Sequence, residues 1–231
     1  MNKKFFWSLL NLMVVAAMGL CVMSCSDDDD DNGNSENGSG GESNEEEVVV
    51  GQAVDLGLSV KFADRNIAAK SVEDFGTLYA WAETETKTEF STENYFDKDF
   101  SIVTSNICGT EYDVAKTKWG NQWRMMTWDE VLEMKEKCTV ETITQKGVIG
   151  MRITGPNGNS IFIPYSYASF GFYQVGVWTG TIMKNPYGAP KNSAAYLAIF
   201  TNYAIDGASI STDRPGDNRV EGFYVRAVCD K

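Results

Sequence analysis

The first 47 of the 231 residues cannot add to a folded core, and this limits the chain more than any motif it carries. Lys3 and Lys4 precede an apolar run from Phe5 to Met23, interrupted only by Ser8, Asn11 and Gly19. A basic start before an apolar run is the pattern of an export signal. Residues 26–47 then hold ten acids, no base and no aromatic residue. Such a segment cannot bury enough apolar surface to offset the entropy lost on ordering. The 184 residues that remain suffice for one substantial core. They carry 18 bases and 22 acids, so most of the net charge of −12 belongs to the acidic segment. No Lys/Arg run occurs, so nucleic-acid binding lacks its electrostatic footprint. The chain has no histidine, which removes the usual residue of serine triads and of His-ligated zinc or haem.

An apolar run of about 20 residues is also long enough to span a bilayer. The residues at its C-terminal end favour a different reading. Val22-Met23-Ser24-Cys25 resembles the lipobox of bacterial lipoproteins, in which the cysteine becomes the acylated N-terminus after cleavage; Val22 stands where Leu is more usual. Asp27, Asp28, Asp29, Asp30 and Asp31 come directly after Ser26 and are similar to the surface-export signal of lipoproteins from the Bacteroidetes. The expected organisation is a signal peptide over 1–25 with Cys25 lipidated, a disordered acidic tether over 26–47, and a domain over 48–231. This implies a protein anchored by lipid in the outer membrane and exposed at the cell surface.

Three cysteines remain in the domain, and export permits one pair to oxidise. Cys138 with Cys229 is the expected pair, since each sits at the end of an element; Cys108 is able to take either partner.

The strongest local signal in the domain is Thr127-Trp128-Asp129-Glu130, a capping box that predicts a helix from Thr127. Trp128, Val131 and Leu132 are its expected apolar face, with Glu133, Lys135, Glu136 and Lys137 opposite. Asp113 to Trp119 is a shorter helix candidate. Val148–Thr154 and Ser160–Pro164, joined by Gly155-Pro156-Asn157-Gly158, predict a hairpin. Residues 52–64 suit a bent strand or hairpin. Residues 77–82, 174–181, 194–201 and 220–228 read as further strands. Residues 83–112 are expected to be long loops pinned by Phe90, Tyr95, Phe96 and Phe100. Residues 182–193 and 202–219 have no strand pattern. Segments of that kind in a compact domain are either disordered or functional.

One ordered set of motifs goes further. Trp119-Gly120-Asn121-Gln122-Trp123-Arg124-Met125-Met126-Thr127 resembles the W-G-x-x-W-R-M-P-T signature of the Fibrobacter succinogenes major paralogous domain. Val54-Asp55-Leu56-Gly57-Leu58, Tyr79-Ala80-Trp81-Ala82-Glu83-Thr84, Gly155-Pro156-Asn157-Gly158 and the closing Tyr224-Val225-Arg226-Ala227-Val228 are similar to other blocks of that family. Met126 replaces its Pro, Arg65 stands where Cys is frequent, and Val177-Trp178-Thr179-Gly180 replaces a Y-W-S-S block. The family is similar in fold to C-type lectins and to formylglycine-generating enzymes. The resemblance therefore implies an α+β, C-type-lectin-like fold with two short helices, a small twisted antiparallel sheet and long loops.

The function expected from these features is a non-catalytic binding or adhesion domain for an extracellular glycan or protein, with no cofactor and no metal. Copper chemistry of the formylglycine-generating type needs two cysteines near the C-terminus, and only Cys229 is there. G-x-S-x-G, Walker and G-x-G-x-x-G patterns are absent from the sequence. A carboxylate-based glycan hydrolase stays open as the alternative, because two acids that meet in space need not be near in sequence. Calcium-dependent sugar binding lacks its E-P-N or Q-P-D loop. The expected contact surface is the two irregular segments, with Tyr187 and Asn185 in the first and Asp206, Asp213 and Asp217 in the second. Trp119, Trp123 and Arg124 are expected to be scaffold.

Overall fold

The computed structural model describes residues 48–168, 172–183, 192–202, 207–211 and 216–231. Cys25, Asp27 to Asp31, Asn185, Tyr187, Asp206 and Asp213 lie outside the described residues. Strands β1 (Ala53–Asp55) and β2 (Lys61–Ala63) pair antiparallel, as the bent hairpin expectation requires. Helix α1 (Val114–Trp119) opens on Asp113, whose carboxylate accepts from the backbone N–H groups of Ala115 and Lys116. A short strand β3 (Arg124–Met125) leads into α2 (Trp128–Lys137). The capping box forms in both directions: Thr127 N donates to Glu130 Oε2 at 2.7 Å, and Glu130 N to Thr127 Oγ1 at 3.3 Å. Both predicted helices are present.

The apolar face of α2 differs from expectation. Val131 and Met134 are fully buried, whereas Leu132 is 41 % exposed. At about 100° per residue, Leu132 lies roughly 160° around the helix from Met134 and cannot share its face. Glu133 is held instead by the β1–β2 loop: Ser59 donates through its N at 3.0 Å and its Oγ at 2.5 Å. Burial opposes the charge on Glu133, but the hydrogen bonds from Ser59 and Lys137 prevail and hold its pKa at about 2.

After α2 the chain is β-rich. β4 (Thr139–Gln145), β5 (Val148–Thr154) and β6 (Ser160–Pro164) form an antiparallel three-stranded sheet. The β5–β6 turn falls where Gly155 to Gly158 predicts it. A Cβ at Gly155 would run into the Leu56 carbonyl, so only glycine permits this approach. Asn157 and Asn159 fasten the turn by donating to Asp55 O, each at 2.8 Å.

A six-stranded sheet contains β7 (Ser166–Ala168), β8 (Phe172–Ile182), β9 (Ser193–Asn202), β10 (Gly207–Ser211), β11 (Gly216–Asn218) and β12 (Tyr224–Val225). β10 and β11 correct the irregular reading of 202–219: both pair with β9 through their backbones, a bond that demands no side-chain pattern. The closing strand is also not continuous. β12 runs parallel to β8, whereas β13 (Ala227–Cys229) pairs antiparallel with β2 and β3 in a four-stranded sheet. Arg226 is the switch point. It is completely buried and donates to Asn66 Oδ1, Ala63 O and Phe162 O at 2.8–2.9 Å. Burial lowers its pKa to about 9, so the cation persists at neutral pH. Residues 77–82 form no strand; only the bridge Tyr79–Phe223 is made, and Ala82 turns the chain away with φ of 66°.

The main apolar cluster lies between α2 and the sheets and contains Leu56, Phe62, Val131, Met134, Met151, Ile153 and Leu197. A second gathers Trp81, Trp119, Trp123, Met125 and Trp178. The architecture of the described residues is α+β, with two α-helices and mostly antiparallel sheets.

Candidate functional site

The loops between β2 and α1 line two clefts on the described surface. They carry little regular structure, so their shape depends on side chains that satisfy backbone groups. Tyr95 is fully buried and its hydroxyl donates to Trp81 O at 2.7 Å. Burial raises the pKa of this phenol, which keeps it neutral. Asp97 accepts from Ser101 N, Ile102 N and Val103 N at 2.8, 3.1 and 3.0 Å. Burial alone would raise its pKa, but the three N–H donors, Val103 foremost, bring it below the ordinary value. Arg219 donates to Val103 O at 2.7 Å, and its guanidinium lies 4.8 Å from the Trp81 ring centre. These contacts hold the loops in place.

Two clefts lie along these loops and share two lining residues; together they are called the groove. One, of about 470 Å³, is lined by Ala82 to Lys87, Asn94, Phe96, Glu111 and Tyr112. The other, of about 380 Å³, is lined by Val48, Val49, Ile67, Lys70, Tyr79, Lys118 and Trp119 among others. Glu85 and Thr86 belong to both. Phe96 is 41 % exposed and stacks with Tyr112 at 5.8 Å and an interplanar angle of 24°. Glu83 sets this ring pair: its carboxylate accepts from Phe96 N at 3.1 Å and pairs with Lys87 at 2.6 Å. Lys118, in the second cleft, pairs with Glu85 at 2.7 Å. The groove thus offers apolar ring faces beside carboxylates, hydroxyls, an amide and ammonium groups. No Ser, Cys or His is among its described lining residues, so it holds no nucleophile–base pair of the Ser–His or Cys–His kind.

Of the residues picked out from the sequence, few enter this groove. Asp217 sits in β11, where its carboxylate accepts from Asn218 N at 2.7 Å, and it lines neither cleft. Cys108, Cys138 and Cys229 are free thiols. The expected Cys138–Cys229 bridge is not formed. Cys138 borders the main cluster and Cys229 the second one, so sitting at element ends does not bring them together. Trp119 and Trp123 are buried edge to face at 5.4 Å, as scaffold residues. Arg124 grips Glu130 through two hydrogen bonds of 2.6 and 3.1 Å and thereby ties β3 to α2. Among the described residues, no three His, Cys, Asp or Glu side chains converge to hold a metal ion. No described helix is long and apolar enough to cross a membrane.

Phe96 is the residue that sequence reasoning missed. The sequence places it with the rings that pin the loops, yet Tyr95 points in and Phe96 points out. Tyr95 is extended, but Phe96 already belongs to the turn over residues 96–99, and no period in the sequence marks which ring turns outward. Comparison of the chain with family models, with curated proteins and with solved structures finds no match in any of the three.

Proposed function

We propose that the domain is a non-catalytic module that recognises carbohydrate, carried on a lipoprotein anchored through Cys25 at the outer face of the outer membrane. The observation that carries this reading is the Phe96–Tyr112 stack beside Glu83, Glu111 and Asn94 in one cleft. A pyranose presents C–H groups on its faces and hydroxyls on its rim. A ring platform flanked by fixed acceptors and donors matches both. The α+β architecture and the motif resemblance support a C-type-lectin-like fold. Lipidation at Cys25 and export driven by Asp27 to Asp31 rest on the sequence resemblances. A 22-residue coil reaches roughly 25 Å, enough to hold the domain clear of the headgroups. A protein ligand is the second reading, favoured by the exposure of Ile102 at 58 % beside that of Phe96.

A glycan array probed with the detergent-solubilised full chain tests the carbohydrate reading. Binding is expected, with and without EDTA, and Phe96→Ala and Tyr112→Ala should each weaken it about tenfold or more, as loss of a stacking ring does. Binding indifferent to both variants would move the site elsewhere, with the segments around Tyr187 and Asp213 the first alternatives. Turnover of any bound glycan would defeat the non-catalytic claim. For the anchor, Cys25→Ala should abolish palmitate labelling. Replacing the five aspartates with alanine should keep the label and abolish surface accessibility to protease.

A further inference from the structure

We infer that the Phe96–Tyr112 cleft prefers a sugar that carries a free amine, with the sugar face on the rings and the ammonium at Glu111. The inference rests on the carbohydrate reading above and names its ligand class. It uses a single cleft, the one of about 470 Å³, which falls within the ~300–1,000 Å³ typical of small-molecule sites.

The charged side chains of this cleft are unequal in number and in what they already hold. Glu83, Glu85 and Glu111 line it beside one lysine, Lys87. Lys87 is committed: its Nζ pairs with Glu83 Oε2 at 2.6 Å and donates to Asn94 O at 3.1 Å. Glu85 has Lys118, which belongs to the other cleft. Glu111 is exposed, and no described residue pairs with its carboxylate. Each lysine thus has its acid, and one acid is left over.

The uncharged polar groups act in the same direction. Asn94 serves its own loop: Nδ2 donates to Glu89 O at 2.8 Å, and Oδ1 accepts from Ser91 N at 3.2 Å. Thr86 Oγ1 donates to Leu78 O at 3.1 Å. Several donors of the cleft are therefore used within the protein, while the Glu111 carboxylate is open and that of Glu85 is 80 % exposed. A ligand that complements this surface brings donors and, at one point, positive charge. A sugar amine supplies three donors and that charge together.

Carboxylates alone would be an ordinary solvated surface; the ring pair beside them makes the difference. Glu111 is the chain neighbour of Tyr112, whose ring stacks on the exposed Phe96. An aromatic face carries negative partial charge, so it attracts a cation as well as sugar C–H groups. An ammonium on the sugar rim meets a ring face and a carboxylate at once. An N-acetylated sugar of the same shape offers the C–H face without the charge.

Titration of the full chain with short oligomers of glucosamine, N-acetylglucosamine and glucose of equal length tests the inference. The titration is run at mildly acidic pH, where an amine is charged and a glutamate ionised. The glucosamine series should bind about fivefold more tightly than the other two, the joint weight of an exposed ion pair and an exposed cation–π contact. High salt should shrink that preference. Glu111→Asp should keep it, Glu111→Gln should erase it, and Glu111→Lys should turn it toward the uncharged series. Phe96→Ala should weaken all three series. Residues 26–47 hold ten acids, so an amine preference that survives Glu111→Lys belongs to that stretch and overturns the inference. A lysine peptide of equal charge that binds more tightly than the glucosamine series also overturns it, because the cleft then reads the ammonium and not the sugar. Equal binding of the amine and acetylated series overturns this inference and leaves the carbohydrate reading standing. Failure of all three sugar series to bind overturns both.

Discussion

The main apolar cluster and the loops beneath the groove hold their shapes by different means. In the first, Phe62, Met134, Met151 and Leu197 are fully buried apolar side chains supplied by a helix and three sheets whose backbones satisfy one another, with Leu56 added from the β1–β2 loop. In the second, Ala80, Tyr95 and Val220 form a small cluster with Phe90 and Phe100 at its edge, while Ile67, Trp81, Val103 and Ile107 of the same loops pack into the second apolar cluster. Backbone satisfaction there depends on single side chains: Asp97 for three N–H groups, Tyr95 for Trp81 O, Arg219 for Val103 O. Regular elements share the load over many equivalent bonds. An irregular loop concentrates it on a few polar groups, and the groove stands on that kind of support.

The two regions should therefore fail differently. Met134→Ala removes a fully buried side chain from the main cluster and should cost about 2–5 kcal/mol in global unfolding by urea, with groove binding unchanged in the folded fraction. Asp97→Ala strands three backbone donors and should cost about 2–3 kcal/mol. Its damage should be local: amides of Ser101, Ile102 and Val103 should exchange faster, and binding at Phe96 should fail before the protein unfolds. Uniform loss of protection across the sheets in that variant would break the distinction.

Glu133 lies on the main-cluster side and titrates. Its pKa in the folded protein, about 2, is below the ordinary 4.5, so its contribution is full above pH 4.5 and is lost as the pH falls toward 2. Glu133→Gln should cost about 1 kcal/mol at neutral pH, and the gap to wild type should close over that acid window in pH-dependent melts. The smallest effect belongs to Leu132→Ala. At 41 % exposure it should change stability by no more than about 0.5 kcal/mol, which a thermal melt resolves against Met134→Ala on the same helix.

Legibility in the sequence tracks the range of the interaction. The α2 start at Thr127, the turn at Gly155 to Gly158 and the short helix after Asp113 each depend on bonds spanning a few residues, and each forms where its residues predict. Leu132 departs from expectation because its burial depends on which face of α2 meets the sheets. The strand expected over residues 220–228 divides at Arg226 because that side chain reaches Asn66, 160 positions away. The groove is the least legible feature. Phe96 and Tyr112 are 16 positions apart, and nothing local to either shows that their rings stack.

By itself the sequence determined the contrast between an acidic stretch over 26–47 without aromatic residues and an aromatic-rich remainder, the α+β class, and the capping and turn residues that begin and end elements. These depend on composition and on hydrogen bonds within one turn of chain, and no distant partner alters them. Only the tertiary structure decided that Phe96 faces outward, that Arg124 serves Glu130, that Cys138 and Cys229 stay apart, and that Glu85 and Thr86 line two clefts at once. Each of those outcomes depends on which surfaces meet when sheets and loops pack together, and that choice is set by long-range burial rather than by neighbours in the chain.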